Sequence, residues 1–99
     1  MPKVSVSVPH NLSATEALEK VQPALDKTVK DFNGHSMETT PGDNSADFKF
    51  KSMAFTISGQ VRATDSDITV DVELPFAAMM FKEKTQKAIS KNLTRALES

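Results

Sequence analysis

Val4, Val6 and Val8 alternate with Lys3, Ser5 and Ser7. That is the two-residue period of a strand with one buried face. Pro9 ends the strand, because proline has no amide to give a sheet ladder. Ser13-Ala14-Thr15-Glu16 then reads as a capping box, the Ser13 hydroxyl accepting from the Glu16 amide and the Glu16 carboxylate reaching back to the Ser13 amide. Leu18, Val21, Leu25, Val29 and Phe32 follow at helical spacing, and Gly34 offers a left-handed stop. Pro23 interrupts this stretch, but the apolar stripe keeps its phase across it, which predicts one kinked helix rather than two. Residues 35–46 are polar, contain Pro41-Gly42-Asp43-Asn44, and read as a loop or ragged strand.

From Asp47 the period returns to two. Phe48 and Phe50 share one face; Phe55, Ile57, Val61 and Ala63 then continue on the opposite parity. A reversal between Lys51 and Ala54 accounts for the change, and pairing Phe50 with Phe55 and Phe48 with Ile57 brings all four to one side. Ile68, Val70, Val72 and Leu74 alternate with Thr69, Asp71 and Glu73. A turn at Asp65-Ser66 pairs Ala63 with Ile68, Val61 with Val70 and Ile57 with Leu74. After Pro75 a helix from about Phe76 to Leu97 places Met79, Ile89, Leu93, Ala96 and Leu97 inward and Lys84, Lys87, Lys91 and Arg95 outward. These readings predict a single α+β domain over residues 1–99. It is a two-layer sandwich in the order β-α-β-β-β-α, a four-stranded antiparallel sheet with both helices on one face. The first strand sits at one or the other edge of the meander.

Charge and composition narrow the function. Twelve Lys and Arg against 13 Asp and Glu leave a net charge of -1, which argues against a nucleic-acid coat. With no cysteine, disulfides, thiolate metal sites and cysteine nucleophiles drop out. The N-terminus lacks a signal-peptide core, and the run Leu74 to Phe81 is far shorter than the ~20 apolar residues of a membrane span. These features predict a cytoplasmic protein.

Few residues suggest chemistry. His10 and His35 flank the first helix with no carboxylate at ligand spacing, which predicts two exposed loop histidines and no metal or cofactor. The serines lack a fixed base, and the three glycines form no phosphate-cradling loop. Asp71 and Glu73 share a face, but it is the solvent face. The chain therefore reads as non-enzymatic. Two surface features stand out. Lys84, Lys87, Lys91 and Arg95 form a basic stripe suited to an acidic partner or surface. Phe76, Met79, Met80 and Phe81 lie in an apolar run that one helix face cannot wholly bury, a composition typical of adaptable contacts.

Pro9-His10, Leu12-Ser13 and Glu16-Ala17, then the strand Ile68 to Leu74 running into Phe76, Phe81-Lys82, Ile89 and Leu93, carry a family likeness. The chain resembles the small bacterial polyhydroxyalkanoic acid (PHA) system proteins over most of its length. Its middle segment and Ala77-Ala78-Met79-Met80 depart from the family's glycine-bearing pattern. The resemblance implies a cytoplasmic protein linked to storage-polyester granules and transfers no catalytic motif. It favours an interaction protein, monomeric or weakly dimeric, that meets a granule surface or granule protein through Phe76 to Phe81 and the basic stripe. The alternative is a carrier that holds an acyl chain between sheet and helices, with Phe48, Phe50 and Phe55 as walls. A 99-residue chain has a thin core, so a cavity is expensive, which weighs against the carrier.

Overall fold

The computed structural model describes residues 3–31, 34–52, 55–74 and 76–98; the side chains of Ser36, Phe76, Ala77 and Ala78 lie outside the description. The elements are β1 (Lys3–Pro9), α1 (Ala14–Asp31), β2 (Gly34–Gly42), β3 (Ser45–Ser52), β4 (Phe55–Ala63), β5 (Asp67–Glu73), a 3-10 helix (Phe76–Phe81) and α2 (Lys82–Glu98). All strands join one antiparallel sheet in the order β1-β5-β4-β3-β2.

Among the described residues the sheet thus has five strands, not four. The segment expected as a loop or ragged strand forms β2, which pairs with β3 from Gly34↔Ser52 to Gly42↔Ser45. Its pattern is hard to read because the register shifts between His35 and Glu38, which breaks the two-residue period. Pro41 is tolerated because β2 is an edge strand. The Asp43-Asn44 turn closes the hairpin, with Asn44 at φ 53°, a conformation Asn accepts more readily than most residues. So short a connection loses little chain entropy, and β2 occupies the β3 edge. β1 takes the other, and its valines meet apolar partners: Val4↔Val72, Val6↔Val70 and Val8↔Ile68.

The β4–β5 register places Ala63 opposite Ile68 and Val61 opposite Val70, as the pattern predicts. This ladder ends at Ser58↔Glu73, short of the expected Ile57–Leu74 pair. The β3–β4 register differs from expectation by two residues: Phe50 faces Ile57 and Phe48 faces Gly59. Parity is unchanged, so hydrophobic alternation cannot tell the two registers apart. Ring space distinguishes them. A Cβ on Gly59 would lie 2.5 Å from Phe48 Cζ and 2.5 Å from the Asp71 carbonyl oxygen.

In α1, Val21, Leu25 and Val29 are buried, and the helix continues through Pro23 as one element. Phe32 lies outside the described residues. Gly34 opens β2 and is not left-handed. Its need is for space, because a Cβ there would lie 2.5 Å from Val29 Cγ1 and 2.8 Å from Phe50 Cδ2. In α2, Ile89 and Leu93 are buried, with Ala96 and Leu97 packed beside them. Met79 is not part of this stripe: it lies in the 3-10 segment and is 52% exposed. Three residues per turn, against 3.6 in an α-helix, lose the phase that the sequence pattern assumes. The inward residues of the sheet and of both helices meet in one cluster. The other sheet face carries Ser5, Arg62, Thr69 and Asp71, where Arg62 Nη2 bonds Asp71 Oδ2 at 2.9 Å and Ser5 donates to Asp71 Oδ1.

Candidate functional site: an apolar cavity beneath the helices

Between the sheet and the helices lies a cavity of about 120 Å³. Phe48, Phe50 and Ile57 form its sheet wall, Leu25 and Val29 its α1 wall, and Ile89 its α2 wall. The Phe48 and Phe50 rings stack with centroids 6.4 Å apart and planes 16° apart. The space exists because α2 leans on α1 and β1, at the far edge of the sheet from β3. The first turn of α2 therefore only rims the cavity, through Lys84 and Thr85, and Ile89 one turn further on closes the wall. The space opens to solvent at its rim, beside Asp31 and Lys84. An engineered apolar cavity of about 150 Å³ stays dry and holds benzene, so this one suits about six carbons.

The rim is polar and held by the helix pair. Thr28 Oγ1 donates to the Ala24 carbonyl at 2.8 Å and accepts from Asn92 Nδ2 at 2.8 Å. Asn92 is buried, so this bond across the helices is satisfied at both ends. The amide also approaches Asp31 Oδ2 at 3.5 Å, where Lys27 Nζ bonds the same oxygen at 3.1 Å. The Lys27 hydrogen bond chiefly, with Asn92 and the charges of Lys27 and Lys91, holds the Asp31 carboxyl below its ordinary range against the opposing effect of desolvation. Asp31 is thus kept as a carboxylate at the rim. Lys84 is the other charged rim residue.

The structure divides the residues singled out in the sequence. Phe81 is half-buried and lines the cavity, and Lys84 stands at its rim. Met79 and Met80, 52% and 82% exposed, precede Phe81 on the outer surface. The Phe76 side chain lies outside the described residues. Lys87, Lys91 and Arg95 belong elsewhere: they line a groove between α2 and β1. Phe48, Phe50 and Phe55 do line the cavity, as the carrier reading requires. Leu25, Val29, Ile57 and Ile89 read in the sequence only as core. The available signal was a strand pair rich in Phe facing helix positions filled by Val and Leu.

His10 is a correction. Expected in an exposed loop, it is buried. Its Nδ1 accepts from the Leu12 amide at 3.0 Å, and Nε2 donates to the carbonyls of Thr64 at 2.8 Å and Asp67 at 3.1 Å. His35 is exposed. Among the described residues no cluster of three or more His, Asp or Glu is placed to hold a metal ion, and no helix is long and apolar enough to cross a membrane.

Comparison with solved structures gives distant likenesses. Ara h 8.0201 is similar at 13% identity and TM-score 0.48, covering 99% of each chain. TTHA0849 from Thermus thermophilus is similar at 11% identity and TM-score 0.43, covering 98% of this chain and 94% of its own. Likenesses this remote say nothing of what the chain binds. No curated protein matches the sequence. The family model described as "Putative polyhydroxyalkanoic acid system protein" matches residues 4–97, nearly the whole fold from β1 to the end of α2, and the chain belongs to that family.

Proposed function

We propose that the protein is a non-enzymatic binding protein of the polyhydroxyalkanoic acid system that takes a short aliphatic acyl chain into the cavity beneath its helices. The observation that carries this reading is the cavity itself: about 120 Å³, walled by aromatic and aliphatic side chains and open at a polar rim, the form of a small-ligand site. A hydroxyalkanoate unit offers an apolar tail for the cavity and a polar end for the rim, its carboxylate toward Lys84 and its hydroxyl toward Thr85. A non-enzymatic role fits a rim whose carboxylate, Asp31, is held ionised by Lys27 and is poorly suited to take or give a proton near neutral pH.

The test is displacement of a fluorescent apolar dye by hexanoate, octanoate and 3-hydroxyoctanoate. Binding is expected to strengthen with chain length until the cavity is full. Val29→Phe fills the space from α1 and is expected to abolish binding while leaving the melting temperature unchanged or higher. Undiminished binding by a folded Val29→Phe variant rules out the cavity.

The exposure of Met79 and Met80 beside the cavity-lining Phe81 supports a second, compatible role, contact with an apolar granule surface at the 3-10 segment. Met79→Ser with Met80→Ser is expected to weaken granule binding and spare dye binding.

A further inference from the structure

The two edges of the sheet are built differently. The edge of β2 carries a register shift between His35 and Glu38, a charged Glu38 and Pro41, all features that discourage addition of another strand. β1 pairs without interruption from Lys3↔Glu73 to Pro9↔Asp67. Between those ends its sequence is Val-Ser-Val-Ser-Val, with no charge, proline or bulge. Its second edge takes no strand among the described residues.

Beside that edge runs a groove of about 930 Å³. One wall is Ser5, Val6 and Ser7; the other is the polar flank of α2, with Lys87, Lys91 and Arg95 against a single acid, Glu83. The three bases are exposed and form no salt bridge among the described residues. Four residues apart on a helix, they are spaced about 6 Å along its axis. Alternate side chains of an extended strand are spaced about 6.7 Å. A second copy of this chain is a poor occupant: β1 against β1 would bring Lys3 and two basic helix flanks together, and like charges oppose such pairing.

We propose that the β1 edge and the basic flank of α2 form a docking groove for an extended acidic segment of a partner protein. The segment adds beside β1 as a sixth strand, its backbone bonding the open edge and its alternate carboxylates meeting Lys87, Lys91 and Arg95. The groove lies on the flank of α2 away from the apolar cavity and does not depend on the ligand reading.

A fluorescein-labelled heptapeptide, Glu-Val-Glu-Thr-Glu-Val-Glu, tests this by fluorescence anisotropy, with hydrogen exchange of the β1 amides followed alongside. Binding that weakens as salt rises, with slowed exchange in residues 4–8, is expected. The combined variant Lys87→Glu, Lys91→Glu, Arg95→Glu is expected to lose at least tenfold in affinity for this peptide and to bind the lysine counterpart instead. The milder Lys91→Gln, Arg95→Gln pair is expected to lose part of the affinity with an unchanged melt. Equal binding by wild type and the charge-reversed variant overturns the proposal. So does binding without protection of the β1 amides, which marks charge attraction alone. Binding of phosphatidylglycerol vesicles, but not the peptide, through the same three bases overturns it in favour of a membrane face.

Discussion

His10→Ala is expected to cost more stability than a residue between two elements would ordinarily suggest. The ring joins the β1–α1 connection to the β4–β5 turn, 54 residues away in sequence, through Nε2–H to the Thr64 carbonyl at 2.8 Å and the Asp67 carbonyl at 3.1 Å. On its other side Nδ1 satisfies the Leu12 amide at 3.0 Å. The His10 amide bond to the Ser66 carbonyl and the Ala14 amide bond to Asp65 Oδ1 survive the change, so the turn stays partly clasped. Alanine therefore leaves the Leu12 amide and the Thr64 carbonyl without their ring partner in a part-buried site, while the Asp67 carbonyl keeps the Thr64 amide at 2.9 Å. Each loss is worth about 1–2 kcal/mol, for a total of about 2–4 kcal/mol. Against a stability of about 5–10 kcal/mol for a domain of this size, that is a large fraction. The chain has no Trp or Tyr, so urea melts are followed by far-ultraviolet circular dichroism. With a slope of about 1.5 kcal/mol/M, a loss of 3 kcal/mol moves the midpoint by about 2 M. Two further variants separate the ring nitrogens: His10→Asn places an acceptor near Nδ1, and His10→Gln a donor near Nε2. Each is expected to recover part of the loss. A midpoint for His10→Ala within about 0.3 M of wild type, at unchanged slope, refutes the argument that the ring clasps the turn.

Gly59→Ala, which forces a methyl against Phe48 and the Asp71 carbonyl, is expected to destabilise by about 1–3 kcal/mol in the same melts; a neutral result means that the β3–β4 register is not the one described. Ser13→Ala removes the hydroxyl that accepts from the Glu16 amide at 3.2 Å and is expected to cost about 0.5–2 kcal/mol, read as a shift of the urea midpoint. Asp71 has its pKa lowered from 3.8 mainly by the Ser5 hydrogen bond, with Lys3 and Arg62 assisting. A lowered carboxylate pKa contributes stability above the unfolded value, and that contribution is lost as pH falls through the folded one. The wild type is therefore expected to lose stability below about pH 4, with a shallower acid limb in Asp71→Asn; identical limbs in melts from pH 5 to pH 2 show that Asp71 contributes nothing.

Much of the fold was legible because alternation and helical spacing are local properties. Val4, Val6 and Val8, the inward set Phe48, Phe50, Ile57, Val61, Ile68, Val70 and Val72, and the stripes through Val21–Leu25–Val29 and Ile89–Leu93 are buried as their spacing dictates. Spacing alone determined which face β1, β3, β4 and β5 each bury and that both helices cover one side. It could not distinguish registers two residues apart, since both keep every side chain on the same face; Gly59, by making room for the Phe48 ring, fits the observed one. It could not recognise β2, whose shifted register hides the period, nor give His10 its partners, which are the carbonyls of Thr64 and Asp67. The candidate site follows the same division. The Phe-rich strands that wall the cavity are apparent in the sequence. The cavity itself depends on where α2 comes to rest, on α1 and β1 rather than over β3 and β4. That placement separates Phe81 and Lys84 from Lys87, Lys91 and Arg95, because residues adjacent on one helical stripe meet different neighbours only once the helix has docked.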